Sequence, residues 1–323
     1  MNMCRGDELF AMEGELALTN VDNLVLTEAK SYEDPVLISD VRILSNILLR
    51  EKDAQKSPKE NYFECVQTEV KPHMRKIVTD WMLEVCEDQK CQAEVFSLAV
   101  NYLDGFLAKI NIQKSQFQLL ATVCIFVASK FKETAPVPAE NLVIYTDNSV
   151  SILEITQWEL ILLNVLEWDL SAVTPYGILD HLLRTLNIES SSSETIRRHA
   201  ETFVALTATE FVFYQHGPAA VAVSCLGAAL RGLNVSTLSS VLEHLHYTTG
   251  VNTITIKDCM DQIEESISMS MSGLSFQPSS SSPAAPSSKS NNVSAPKIIP
   301  QHYNGSKFVS TTPTDVMDVA CAF

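Results

Sequence analysis

Glycine is scarce in this sequence, with only 10 among 323 residues. That scarcity argues against an all-β fold built on glycine turns and against a glycine-rich phosphate-binding loop. Positive charge is scarce as well, because 23 Lys and Arg stand against 39 Asp and Glu, for a formal net charge of −16. A surface of this sign repels phosphate backbones and anionic membranes, so we expect neither nucleic-acid binding nor membrane attachment.

Long apolar runs are missing too. The longest apolar block covers residues 119–128, which is too short for a membrane span of about 20 residues. The N-terminus lacks a basic flank followed by an apolar stretch, so no signal peptide is predicted.

The sequence also lacks patterns for metal sites, cofactors and catalysis. Its eight cysteines are scattered and form no C-x-x-C, which predicts reduced, buried cysteines and neither a disulfide framework nor a zinc site. His244 and His246 are two residues apart and would face different sides of a helix, so they predict no metal pair. Because no nucleophile elbow, P-loop or dinucleotide fingerprint occurs, we expect no enzyme and no cofactor.

Helical periodicity is the dominant pattern that is present. The chain is longer than one core of roughly 100–200 residues needs, so two domains are expected. Residues 1–34 are acidic and patternless, and they are predicted to be mobile. An amphipathic helix follows within residues 35–56, where apolar residues recur at helical spacing: Val41, Leu44, Ile47 and Leu48.

Residues 57–168 predict a first set of five helices. The first of these begins near Pro72, because proline is tolerated in the first helical turn. Capping-box patterns predict the starts of the third and fifth helices at Ser115-x-x-Gln118 and Ser151-x-x-Glu154.

Residues 172–268 predict a second set of five helices, which begins with Thr174 as N-cap and Pro175 in the first turn. The third helix of each set is the most apolar, ATVCIFVASKF and AVAVSCLGAAL, and such a helix belongs at the centre of a bundle. Two centres about 100 residues apart favour two similar all-α domains over one irregular bundle. Residues 269–323 are rich in serine and proline and are predicted to be disordered.

Several of these segments together resemble a known family. MRKIVTDWMLEVCEDQKCQAEVFSLAVNYLDGFL, followed by QLLATVCIFVASKFKE, is similar to the cyclin box, and IYTDNSV with WELILLNVLEWDL closes the first set as in cyclins. With the tail motif TPTDV, the pattern resembles animal D-type cyclins. The resemblance implies an all-α chain of two tandem five-helix cyclin folds with an N-terminal helix and a disordered tail.

The resemblance also implies a function. We expect a regulatory subunit that binds and activates a G1-phase cyclin-dependent kinase of the type-4/type-6 class, with retinoblastoma-type proteins as substrates. Shuttling between nucleus and cytoplasm is expected by the same analogy. Two other classes stay open: a cyclin-fold transcription factor that binds DNA, and a helical adaptor without a kinase partner. A transcription-associated cyclin is a further alternative within the family.

Lys130 and Glu159 are the expected centre of kinase binding. Lys130 is the first charge after Lys114, and Glu159 is the only charge between Glu154 and Glu167. By themselves they would suggest a helix-end charge and a surface residue. In cyclins, the lysine and glutamate of these motif positions bind the backbone around the kinase C-helix. Apolar contact area is expected from Phe131 and Leu163.

A second expected site is a groove that docks Arg-x-Leu segments of substrates and of Cip/Kip-type inhibitors. The resemblance assigns it to five residues: Met74, Ile77, Trp81, Glu84 and Gln118. Glu84 would pair with the arginine of the docked segment. Without the resemblance, the apolar members predict ordinary core, and MRKIV stands here where many cyclins have MRAIL.

Thr312 lies in the tail motif TPTDV and is the expected phosphorylation site. In D-type cyclins, phosphorylation there promotes nuclear export and recognition by a ubiquitin ligase. The chain departs from the family at two points. It has no L-x-C-x-E motif near its N-terminus, so direct docking to retinoblastoma-type pockets is not expected. Gly105 stands where cyclins usually have arginine, which suggests that a buried ion pair is missing.

Overall fold

The computed structural model describes residues 40–54, 60–186, 190–234 and 238–273. All regular structure in these residues is helical, in agreement with the predicted all-α class. The predicted mobile segment 1–34 and most of the predicted disordered segment 269–323, including Thr312, lie outside the described residues. Within the described part, no helix is long and apolar enough to cross a bilayer.

The first bundle follows an N-terminal helix, α1, and contains a short helix and five longer ones. A 3₁₀ turn, Lys114–Gln116, precedes its central helix. The bounds are α1 Val41–Ala54, α2 Tyr62–Cys65, α3 Pro72–Asp88, α4 Ala93–Leu107, α5 Phe117–Lys132, α6 Ala139–Tyr145 and α7 Ile152–Val165.

The second bundle repeats the arrangement of five helices. A 3₁₀ helix, Phe211–Gln215, links its second and third members. The bounds are α8 Pro175–Thr185, α9 Ser190–Thr209, α10 Pro218–Gly232, α11 Leu238–Thr249 and α12 Thr253–Gly273. The prediction of two tandem five-helix folds is therefore confirmed.

Local sequence chemistry explains several helix starts. The Ser151 hydroxyl accepts a hydrogen bond from Glu154 N, and the Glu154 carboxylate accepts one from Ser151 N at 2.8 Å, so the predicted capping box is confirmed. The Thr174 hydroxyl likewise caps α8. The capping box predicted at Ser115 is wrong, because the reciprocal pair at this corner forms between Gln113 and Gln116, two residues earlier.

The two most apolar helices lie at the two centres, as predicted. In α5, all residues from Phe117 to Val127 except Phe126 are buried, and in α10 burial is continuous from Ala219 to Leu230. Each helix anchors its own hydrophobic cluster. Gly227 permits the close approach of neighbouring helices, because a Cβ atom there would come within 2.7 Å of the Met260 sulfur.

A buried ion pair of the first bundle also makes hydrogen bonds to the second bundle. Arg75 of α3 donates to the Asp104 carboxylate of α4 through Nε at 2.7 Å and Nη2 at 2.8 Å. Arg75 also donates to the carbonyl oxygens of Ala208 and Thr209, which end α9 of the second bundle. Because Gly105 replaces the usual arginine, the sequence suggested that a buried ion pair is missing. The structure has a buried ion pair at Asp104, the residue before Gly105.

Helix α1 packs on the second bundle. Leu44 and Leu48 belong to the core cluster of the second bundle. The buried Glu51 carboxylate accepts a hydrogen bond from Ala219 N at the start of α10. Arg50 donates to the Ser171 carbonyl oxygen in the segment between the bundles. The N-terminal helix therefore contacts both the linker and the second fold.

Candidate functional site

The structure brings Lys130 and Glu159 together across two helices of the first bundle. Lys130 lies near the end of α5 and Glu159 in the middle of α7, and Lys130 Nζ is 2.5 Å from Glu159 Oε1. The Lys130 ammonium also stands 4.9 Å from the ring centroid of Phe126, within the range of a cation–π contact. The lysine side chain is 45% exposed and the glutamate 16%, so a partner molecule can reach the pair.

Exposed apolar side chains also lie on the helices that carry this ion pair and on the helix between them. Thirteen large hydrophobic residues are exposed among the described residues, and six of them lie on α5, α6 and α7. These six, which we call the α5–α7 face, are Phe131, Ile144, Ile152, Leu153, Leu160 and Ile161. The three helices contact one another, and a concentration of exposed apolar residues on neighbouring helices is typical of a protein-interaction site.

Of the two apolar neighbours expected to give contact area, the structure exposes one and buries the other, which corrects the prediction for the buried one. Phe131 is exposed, as a contact residue must be, whereas Leu163 is 7% exposed and belongs to the core of the first bundle. The exposed residues that were missed include Leu153 and Leu160, which are seven residues apart. Their helical spacing was visible in the sequence, but α7 has apolar residues on all sides, so spacing alone does not tell which side faces inward.

The expected docking groove is more buried than the sequence analysis assumed. Met74 and Trp81 are 8% and 5% exposed and belong to the core cluster, so their predicted place in an exposed groove is wrong. The reason is that α3 packs directly on α5. Ile77 is half-buried and Glu84 is exposed, so these two can reach a ligand.

The Gln118 side chain at the start of α5 has a buried polar atom without a hydrogen-bond partner in the described residues. The side chain is buried, and its amide Nε2 finds no hydrogen-bond acceptor within the described part of the chain. The amide oxygen accepts a hydrogen bond from the Ser149 hydroxyl at 3.3 Å. Buried polar atoms without partners are rare in folded proteins, so Nε2 is suited to donate to a carbonyl of a bound segment.

The carboxylates of Asp80 and Glu87 place negative charge near Glu84. Partial burial raises the pKa of Glu84, and the negative charges of Asp80 and Glu87 raise it further. Burial also raises the pKa of the Asp80 carboxyl, against the opposing effect of Lys76. This side of α3 therefore favours a cationic ligand group over an anionic one.

No metal-binding cluster of three or more His, Cys, Asp or Glu side chains occurs in the described ranges. The arrangement offers an ion pair, exposed apolar side chains and an acidic helix side. These features support binding of another protein.

Comparison with known proteins identifies the family. The model of the cyclin N-terminal domain matches residues 42–171, and that of the cyclin C-terminal domain matches residues 173–295. G1/S-specific cyclin-D2 of Xenopus laevis is 42% identical over 304 residues, which cover 91% of this chain and 96% of that protein. The chain belongs to the cyclin family, among the D-type cyclins.

Two further likenesses agree with this assignment. G1/S-specific cyclin-D1 of Danio rerio is 44% identical to this D-type cyclin, over 80% of this chain and 89% of the relative. The X-ray structure of a viral cyclin from herpesvirus saimiri superposes with a TM-score of 0.61 at 25% identity, over 71% of this chain and all of that one. The D-type cyclin is therefore a regulatory subunit of a protein kinase with a role at G1/S, and it is not itself an enzyme.

Proposed function

We propose that this D-type cyclin binds a cyclin-dependent kinase of the type-4/type-6 class through the α5–α7 face and activates it toward retinoblastoma-type substrates. One observation carries the proposal: the Lys130–Glu159 ion pair bridges α5 and α7, and the three helices α5, α6 and α7 carry six exposed apolar side chains. An interface with an apolar centre and a few directed polar groups is the usual design of a stable protein complex.

The ion pair suits recognition of backbone groups on a helix of the kinase. A lysine ammonium offers three donors and a carboxylate offers several acceptor sites, so the pair can bind carbonyl and amide groups together. Lys130 holds Glu159 in place before binding, which lowers the ordering cost of the interface.

Activation then follows from differential binding. The kinase supplies ATP, magnesium and all catalytic groups, and its own lysine–glutamate pair must form for phosphoryl transfer. A cyclin that binds the active arrangement of the kinase C-helix more tightly than the inactive one shifts the kinase population toward activity.

The decisive experiment co-expresses the cyclin with a type-4 or type-6 kinase and measures complex recovery and phosphorylation of a retinoblastoma-type tail. The double variant Lys130→Glu with Glu159→Ala should lose both. The matched control is Arg198→Glu with Glu194→Ala, which makes the same charge changes at an exposed ion pair of the second bundle. Circular dichroism verifies that each variant remains helical. Equal complex recovery from both double variants would contradict the proposal.

The apolar part of the face is tested separately. Leu160→Ala should weaken kinase binding by about 1.5–3 kcal/mol if this leucine becomes buried, which corresponds to a roughly 10- to 150-fold higher Kd. Ile254→Ala removes a similarly exposed side chain from the second bundle and should leave Kd unchanged. A weaker effect at Leu160 than at Ile254 would exclude α7 from the interface.

We also propose that Ile77, Glu84 and Gln118 dock Arg-x-Leu segments of substrates and of Cip/Kip-type inhibitors. The unpartnered Gln118 amide and the acidic side of α3 support this. Glu84→Gln should lower phosphorylation of a substrate that carries the motif and not of the same substrate with the arginine changed to alanine. An equal loss on both substrates would refute the docking role.

For the tail, we propose that phosphorylation of Thr312 adds about −1.5 to −2 charges and creates a ubiquitin-ligase recognition site that also controls shuttling between nucleus and cytoplasm. Thr312→Ala should lengthen the half-life of the protein in cells. Turnover as fast as that of the parent would count against this.

A further inference from the structure

Cys86 and Cys91 lie at a turn that brings their side chains together. Helix α3 ends at Asp88, Lys90 adopts a left-handed conformation with φ of 56°, and Cys91 N donates to the Cys86 carbonyl oxygen at 2.9 Å. This six-residue closure is of the Schellman type, in which the side chains at the two ends of the closure contact each other. The two cysteines accordingly line the same cavity.

A small molecule can reach the pair. Both cysteines line a cavity of about 220 Å³ that extends to Tyr176, Glu201 and Ala205 of the second bundle. Cys86 is buried, whereas Cys91 is half-buried. Since a water molecule occupies only about 30 Å³ in the liquid, the cavity has room for a molecule the size of hydrogen peroxide.

The two sulfur atoms are chemically unequal. The neighbouring Cys86 thiol lowers the pKa of the Cys91 thiol, although burial and the Glu133 charge act in the opposite direction. The Cys91 thiol and burial in turn raise the pKa of Cys86. Because the thiolate is the nucleophile, Cys91 is the sulfur that reacts first, and Cys86 remains a protonated neighbour.

We propose that Cys86 and Cys91 form a reversible dithiol–disulfide site that hydrogen peroxide oxidises. The Cys91 thiolate attacks one peroxide oxygen, the O–O bond breaks, and the departing hydroxide takes up a proton to form water, which leaves a sulfenic acid on Cys91. The Cys86 sulfur then attacks the Cys91 sulfur. The S–O bond breaks as the S–S bond forms, and hydroxide leaves with the Cys86 proton as a second water. Two thiols lose two electrons, and one peroxide is reduced to two waters.

The site is independent of the proposed kinase partner, because it requires only the α3–α4 turn of this chain. Reduction by a small thiol reverses it through a mixed disulfide. The prediction of buried cysteines holds for Cys86, whereas Cys91 is half-buried and Cys65 is exposed. Residues five apart lie on different faces of a regular helix, so the sequence pattern gives no sign of this pair.

The experiment uses the full chain, reduced and then exposed to graded hydrogen peroxide, with free thiols alkylated before tryptic digestion. Lys90 separates the two cysteines, so trypsin places them in different peptides, residues 77–90 and 91–109. The expected result is a linked pair of these peptides, lighter than their sum by two hydrogens, that separates on reduction.

Two variants serve as controls. Cys91→Ser should abolish the linked pair and leave Cys86 open to alkylation, with circular dichroism unchanged. Cys65→Ser removes an exposed cysteine and should leave the linked pair as abundant as in the parent. The proposal is overturned if Cys91 links to a different cysteine, if it advances to the sulfinic acid while Cys86 stays alkylatable, or if neither residue oxidises at peroxide levels that oxidise Cys65.

Discussion

Replacing Arg75 by methionine should separate the contribution of the buried ion pair from that of side-chain packing. The methionine keeps an unbranched apolar chain and removes the guanidinium. The guanidinium makes two hydrogen bonds to Asp104 and two to the carbonyl oxygens that end α9, at 2.7–3.1 Å. Its side chain is 2% exposed and that of Asp104 is 9% exposed, so water does not replace the lost partners.

The expected destabilisation is large because an uncompensated charge stays behind. Removal of one partner from a buried ion pair costs about 3–5 kcal/mol. The Asp104 carboxylate keeps one hydrogen bond, donated by the Tyr62 hydroxyl at 2.7 Å, which is too little to compensate a full charge. A domain of ordinary stability has only about 5–15 kcal/mol in total, so the variant should be close to the limit of folding.

Urea unfolding followed by circular dichroism measures the effect. The control is Lys109→Met at the exposed Lys109–Glu167 pair, whose side chains are 47% and 80% exposed. Such a surface pair contributes at most about 1 kcal/mol. The double variant Arg75→Met with Asp104→Asn should lose less than the sum of the two single variants, because the second change removes the stranded charge. A cost below about 1 kcal/mol for Arg75→Met would refute the idea that this pair holds the two bundles together.

Three further substitutions should change the stability of the protein through single contacts. Asp80→Asn should raise the urea midpoint at pH 7, because burial raises the pKa of Asp80 and so penalises its charged form at that pH. The gain in stability should vanish as the pH falls toward 3.8, because the aspartate of the parent protein is then protonated. Ser151→Ala should lower stability by about 1 kcal/mol by removing the cap of α7, measured by thermal unfolding. Glu51→Gln should cost up to about 1 kcal/mol, since its charge lies at the positive end of α10, and the loss should shrink in high salt.

The fold could be predicted because its signals are local. Ser151 with Glu154, Thr174 with Pro175, and proline at the start of α3 each determine a helix start within one turn of chain. The central positions of α5 and α10 followed from their uniformly apolar composition. The error at Ser115 arose because two capping patterns overlap there and Gln113 forms the actual box.

The candidate site was predicted only in part. Lys130 stands out as the first charge after a long apolar run and Glu159 as the only charge between Glu154 and Glu167, and the family resemblance joined them into a pair. Which apolar neighbours face outward was not visible, so Leu163 was assigned to the surface and Leu160 was missed. Trp81 was assigned to a groove, although the packing of α3 on α5 buries it.

By itself, the sequence determined the helices, their order, the two apolar centres and the absence of catalytic and metal-ligand motifs, because short-range spacing and composition encode these properties. Only the tertiary structure decided the rest: which side of α7 faces solvent, which carbonyl oxygens Arg75 binds in the other bundle, and that a turn brings Cys86 beside Cys91. The physical reason is that burial and long-range pairing depend on how helices pack, and each helix alone permits several such packings.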